Sequence, residues 1–141
     1  MVSSLFNKQV NIILFFILLI VTILRIPNLF EPYWYGDEGI YLTVGEGLRQ
    51  GELLYKDIFD HTPPAIYILA AIAGSLSLFK LFLLLSSLLS IIFFWKLAGK
   101  IFKESALAKE NYLPALYLST SIFALLTTLP TLEGNIANAE L

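Results

Sequence analysis

The stretch KLFLLLSSLLSIIFFWKLAGKIFK, residues 80–103, decides how this chain folds. From Leu81 to Trp95 it carries no charge, and its only polar residues are Ser86, Ser87 and Ser90. Beyond it the lysines cluster: Lys96, Lys100, Lys103 and Lys109. A helix needs about 20 mainly apolar residues to cross a bilayer, and a run with interfacial lysines at its ends meets that need. The basic cluster marks the side of the membrane that stays inside. Two further apolar runs flank it, Val10 to Ile26 and Tyr112 to Leu129. The first is too long for the core of a cleaved signal peptide, and no small-residue cleavage pattern follows it. Pro27 ends that run, and Arg25 can snorkel to the interface.

The composition agrees. Of 141 residues, 57% are hydrophobic and 14% charged, with a mean hydropathy of +0.77. A soluble domain is nearer half apolar and a quarter charged. The net charge of −2 and the lack of a basic block argue against nucleic acid as a partner. Cysteine is absent, so disulfides and thiolate metal sites are excluded. There is no internal repeat.

Charge placement then decides the crossings. A fourth apolar run, 64–79, starts at Pro63-Pro64 and contains Gly74, Ser75 and Ser77. If it crossed, with the N-terminus inside, the lysine cluster would fall outside. If it does not, the cluster lies inside with Lys8. The sequence therefore predicts an all-α polytopic membrane protein. It has three spans, about 10–27, 81–97 and 112–129. An acidic outer loop covers 28–63, a juxtamembrane or re-entrant helix 64–79, and a basic inner loop 96–110. The N-terminus is cytoplasmic, and the plasma membrane of a prokaryote is the expected location.

The outer region carries the chemistry. It holds seven acids against two bases, Arg49 and Lys56, for a net −5 with His61 neutral. Tyr33, Trp34, Tyr35, Tyr41 and Tyr55 suit the headgroup level. Ile40, Tyr41, Val44 and Leu48 fall at helical spacing, which predicts a short amphipathic helix over Glu38–Arg49 lying in the interface. At its start stand Asp37 and Glu38. As a bare dipeptide they are most often two solvated loop acids, and Asp37 could serve as an N-cap. At a membrane interface the same pair can move a proton or hold a cation. Asp60 and His61, the only histidine, precede the stiff diproline. A hydrogen-bonded loop residue is the commoner role for such a histidine, and a zinc site built on several histidines is excluded. A divalent cation between Asp37 and Asp60 stays open. Lys80 has no acid within five residues, so it is either a snorkelling lysine or a cation for a lipid phosphate. Glu133 and Glu140 belong either to a polar loop or to a second acidic face.

Three segments in order, Tyr35-Gly36-Asp37-Glu38-Gly39-Ile40-Tyr41, Leu54-Tyr55-Lys56-Asp57-Ile58-Phe59-Asp60-His61-Thr62-Pro63-Pro64 and Gly134-Asn135-Ile136-Ala137-Asn138-Ala139-Glu140, resemble polytopic glycosyltransferases of the GT-C type. The similarity is to dolichyl-phosphate-mannose–protein mannosyltransferases and to the bacterial aminoarabinose transferases that act on lipid A. The resemblance implies a helix bundle larger than this chain, so an N-terminal fragment is expected, inactive alone. It implies a polyprenyl-phosphate-linked sugar as donor, membrane lipid around the site, and a protein, lipid or glycan acceptor. Asp37 is then the catalytic base, with Glu38 beside it. Lys80 contacts the donor phosphate, and Asp60, His61 and Glu140 face substrate. No metal ligand set or cofactor is assigned, because relatives differ in their need for a divalent cation. Two rival readings are a small membrane scaffold without enzymatic activity and a transporter fragment. The absence of acids inside the spanning runs counts against the transporter.

Overall fold

The structure is a computed structural model that describes residues 2–32, 36–104 and 112–129, with the side chains of residues 2–11 left aside. Among the described residues five α-helices form: α1 (Val2–Arg25), α2 (Gly36–Arg49), α3 (Pro64–Ala73), α4 (Leu76–Glu104) and α5 (Tyr112–Leu126). A 3-10 turn, Pro27–Leu29, follows α1. The described residues contain no strand beyond one isolated bridge, Leu54 to Ile58. The fold is all-helical, as the sequence predicts. By length and composition α4, with 29 residues, is the one described helix able to cross a membrane. At 1.5 Å per residue it extends about 43 Å, beyond the roughly 30 Å of a hydrocarbon core. The other apolar helices, Ile12–Arg25, Pro64–Ala73 and Tyr112–Leu126, are shorter over their described lengths.

Several element boundaries differ from the sequence expectation: α1 starts at Val2 rather than near 10, α2 at Gly36 rather than Glu38, and α3 and α4 differ for local reasons. The helix expected over 64–79 stops at Ala73, because Gly74 turns left-handed at φ 62° and its N–H bonds the Ala70 carbonyl. That is a glycine C-cap. Residues 76–79 therefore belong to α4, which starts before the expected span at 81. At its other end α4 continues to Glu104, so Lys96, Lys100 and Lys103 lie on a helix rather than in a loop. Residues 96–104 contain no proline and a single glycine, Gly99, so nothing breaks the helix there.

The chain divides into two compact units. One contains α1, α4 from Ser86 onward, and α5. Its core has two clusters. Val21, Ile91 and Ala124 form one, and Trp95, Ala98 and Leu116 form the other, with Ile13, Leu14 and Ile17 packed on the second. The pairings fix helix direction. Ile13 packs on the cluster that holds Leu116, Val21 shares a cluster with Ala124, and the Arg25 guanidinium donates to the Thr127 carbonyl, so α1 and α5 run parallel. Ile91 meets Ala124, Trp95 stacks on Tyr117 at 5.8 Å, and Lys103 sits 5.6 Å from the Tyr112 ring. α4 thus runs opposite to both. Phe94 and Phe123 stack at 4.3 Å in the middle of the bundle. Arg25, expected to snorkel to the interface, is instead buried and meets the Thr127 carbonyl just past the negative end of α5, a favourable place for a cation.

The second unit spans Ile26–Leu85. Its core is Tyr41, Val44, Tyr67, Ala70, Ala73 and Phe79. Tyr41 meets Tyr67, Gly45 meets Ala70 and Ala71, and Arg49 reaches Gly74. Both numbers rise together, so α2 and α3 are parallel, and the loop 50–63 returns the chain between their ends. A Cβ on Gly45 would lie 2.7 Å from the Ala71 nitrogen and 2.9 Å from the Ala70 carbonyl carbon. Only glycine lets the two backbones approach this closely. Tyr41, Val44 and Leu48, expected to face lipid, are instead covered by this core, while Ile40 stays exposed. Burying each large side chain here is worth about 1.5 to 3 kcal/mol.

Candidate functional site at the start of α2

Because α2 and α3 run parallel, their first turns share one end of the second unit. Asp37 and Glu38 stand in the first turn of α2, where carboxylates favour the positive helix terminus. Asp60, His61 and Thr62 lead into the first turn of α3 at Pro64.

Glu38 does not face water. Its side chain is 2% exposed and its Oε2 lies 3.6 Å from the Lys80 ammonium, itself 1% exposed. Lys80 Nζ also donates to Asn28 Oδ1 at 3.4 Å and to the Glu31 carbonyl at 3.1 Å. Two hydrogen-bond acceptors therefore hold the ammonium, and Glu38 faces it at ion-pair distance. The residue read from sequence as a donor-phosphate contact is, in this structure, a buried partner of Glu38. The 3-10 turn begun by Pro27 turns Asn28 inward, to 8% exposure, to complete the set. A pair buried this deeply is costly to desolvate, and removing one partner is costlier still.

Asp37, next to Glu38, is half-buried. The pair thus splits: Glu38 turns inward to hold α4, and Asp37 keeps access to solvent.

Asp60 is the second centre. Its Oδ1 accepts the His61 backbone N–H at 2.8 Å and faces His61 Nδ1 at 2.9 Å. Its Oδ2 accepts the Tyr67 hydroxyl in a short bond and the Thr62 hydroxyl at 3.3 Å. The Tyr67 bond, with the His61 amide behind it, holds the Asp60 carboxyl below the usual carboxylate range. Burial, then donation to Asp60, pushes the Tyr67 hydroxyl above its usual value. With Nδ1 turned to the carboxylate, the His61 ring is 93% exposed and presents its other nitrogen to solvent. Tyr67 rests edge-on against Tyr41 at 5.8 Å. Tyr41 is one turn beyond Asp37 and Glu38, so the Asp60 centre is tied to the α2 helix that carries both acids.

Asp37, Glu38, Asp60, His61 and Lys80 therefore fall in one compact unit. Glu140, also expected at the site, lies outside the described residues, as does Glu133. Among the described residues no group of three or more metal-ligating side chains is assembled. A cleft of about 450 Å³ lies at the other end of α2, lined by Thr43, Glu46, Arg49, Glu52, Gly74 and Leu76 among others. Sequence reasoning did not find it, because it exists only where the Gly74 turn meets the end of α2. Nor did it find the acceptors of Lys80, which are 52 and 49 positions away in the chain for Asn28 and Glu31. Tyr67 was equally hidden inside an apolar run.

Comparison with known proteins finds no matching family model, no matching curated protein and no matching solved structure.

Proposed function

We propose that this protein works in a membrane glycosyltransferase of the GT-C type, transferring a sugar from a polyprenyl-phosphate donor to an acceptor hydroxyl. In this reading α1, α4 and α5 all cross the bilayer, and the acidic unit 26–85 faces the outside of a prokaryotic plasma membrane. The parallel α1 and α5 with an opposed α4 suit three successive crossings. Asp37 takes or orients the proton of the acceptor hydroxyl. The hydroxyl attacks the anomeric carbon with inversion, the glycosidic bond to the lipid phosphate breaks, and the phosphate leaves with that electron pair. Asp60 and His61 meet substrate from the start of α3. Lys80 acts through Glu38, holding the first turn of α2 so that Asp37 is presented at a fixed place.

The observation that carries this reading is the split of the acidic pair. Glu38 is buried on Lys80, while its neighbour Asp37 stays accessible at the end shared with Asp60 and His61. Two solvated loop acids would not divide in this way.

Membranes of the cells that naturally make the chain, with and without the change at Asp37, given radiolabelled polyprenyl-phosphate-mannose and polyprenyl-phosphate-aminoarabinose, test it. Transfer from one donor is expected, and Asp37→Asn lowers the rate by about 100-fold or more, the usual worth of a positioned general base. Unchanged transfer in Asp37→Asn removes the base from Asp37. No transfer from either donor counts against the reading as a whole.

A further inference from the structure

The loop that returns from α2 to α3 contains a small, stiff knuckle, Leu53–Phe59. The Leu53 carbonyl accepts the N–H groups of Lys56 at 3.2 Å and Asp57 at 2.9 Å, and the Tyr55 N–H donates to the Ile58 carbonyl at 2.7 Å. The Asp57 carboxylate accepts the Leu53 N–H at 2.9 Å, and the Tyr55 hydroxyl donates to the Thr62 carbonyl at 2.7 Å. Tyr55 sits at φ 65°, the one left-handed non-glycine among the described residues. Such a conformation is unfavourable for a bulky residue and persists only where its surroundings hold it.

This geometry sorts the apolar residues of the knuckle. Leu54 and Ile58 pack on the core of the unit. Leu53, Tyr55 and Phe59 face outward at 54%, 47% and 81% exposure, and the two rings stand edge-to-face at 6.4 Å. Exposed Lys56 lies among them. Exposed apolar groups gathered in one loop, rather than scattered singly, mark an interaction surface.

Position supplies the occupant. Glu52, the residue before the knuckle, lines one cleft with Gly74, Ser75 and Leu76, the first residue of α4. Read as a span, α4 begins its charge-free run at Leu81, after Lys80, so the turn before it belongs at headgroup level. The knuckle starts beside that level.

We propose that Leu53, Tyr55 and Phe59 form an interfacial anchor that inserts into the headgroup–acyl boundary of the bilayer, with Lys56 meeting lipid phosphates. Aromatic rings and lysine are the side chains suited to that zone. The anchor rests on the reading of α4 as a membrane span, and the test separates the two. The chain has no cysteine, so a single introduced cysteine is the only thiol to label.

Nitroxide labels on Phe59→Cys, Leu53→Cys, Leu89→Cys and Gln50→Cys are compared in phosphatidylcholine–phosphatidylglycerol vesicles, using collision with oxygen and with a water-soluble nickel chelate. All four side chains are exposed, so none of the changes disturbs the core. Positions 59 and 53 are expected to favour oxygen over nickel several-fold more than position 50, approaching position 89 on α4. If 59 and 53 match 50 while 89 lies in lipid, the anchor is wrong and the span stands. If 59 and 53 collide with neither reagent, protein covers them and the anchor is again wrong. If 89 itself lies in water, the span fails and the anchor with it.

Discussion

The two units of this chain are built in opposite ways. The bundle of α1, α5 and the later part of α4 packs by apolar bulk and stacked rings, and carries large exposed side chains such as Phe15, Phe93 and Leu118. The unit 26–85 is smaller and depends on particular atoms: the buried Glu38–Lys80 pair, the Asp60 carboxylate network and the close Gly45 contact. A bundle of the first kind tolerates exchange among apolar residues of similar volume. A unit of the second kind does not, and that is where the candidate chemistry lies. Apolar bulk suits a place in lipid, while fixed polar geometry suits a site.

The largest way to break this contrast is at Lys80. Lys80→Met leaves Glu38 buried without its cation and is expected to cost about 3 to 5 kcal/mol, read by denaturant titration in detergent. The double change Glu38→Leu with Lys80→Met recovers most of that loss. If the single change is as mild as an apolar exchange in the bundle, such as Ile91→Val, the ion pair is not what holds the unit. Gly45→Ala is expected next, at about 1 to 3 kcal/mol, because its methyl meets the backbone of Ala70 and Ala71. The same change at Gly36, which has nothing within 4 Å, is the control and costs far less.

Tyr67→Phe is expected to cost about 1 to 2 kcal/mol by removing a hydrogen bond to a charged group. It also sharpens the comparison through pH. The folded Asp60 carboxyl titrates below its unfolded value of about 3.9. The stability from this group is therefore complete at neutral pH and is lost as pH falls below that range toward the depressed value. A stability profile in acid should show this loss in the parent chain, less of it in Tyr67→Phe, and none from this group in Asp60→Asn. An identical acid profile in all three would remove Asp60 from the account.

Much of the bundle is legible in the sequence, because a long apolar run is a property of composition, and composition is local. The all-helical class, the helix at Glu38–Arg49 and the helix beginning at Pro64 follow from spacing and proline. The end of that helix at Ala73 rests on one glycine adopting φ 62°, which a hydropathy window averages away. Asp37 and Glu38 are visible as a pair, but their division of labour is not. It depends on Lys80, Asn28 and Glu31 converging from distant parts of the chain. The amphipathic face of α2 shows the same limit: an apolar stripe says that something covers it, and here the cover is α3 rather than lipid.

The three crossings proposed above would put the unit 26–85 on the outer face and the lysines of α4 inside. Gln50→Cys and Lys103→Cys, each the sole cysteine, can be challenged with a membrane-impermeant maleimide in sealed right-side-out vesicles. The expected result is that residue 50 labels at once and residue 103 only after the membrane is opened. If both label from the same face, the opposed direction of α4 does not correspond to a crossing, and the outward-facing site is wrong.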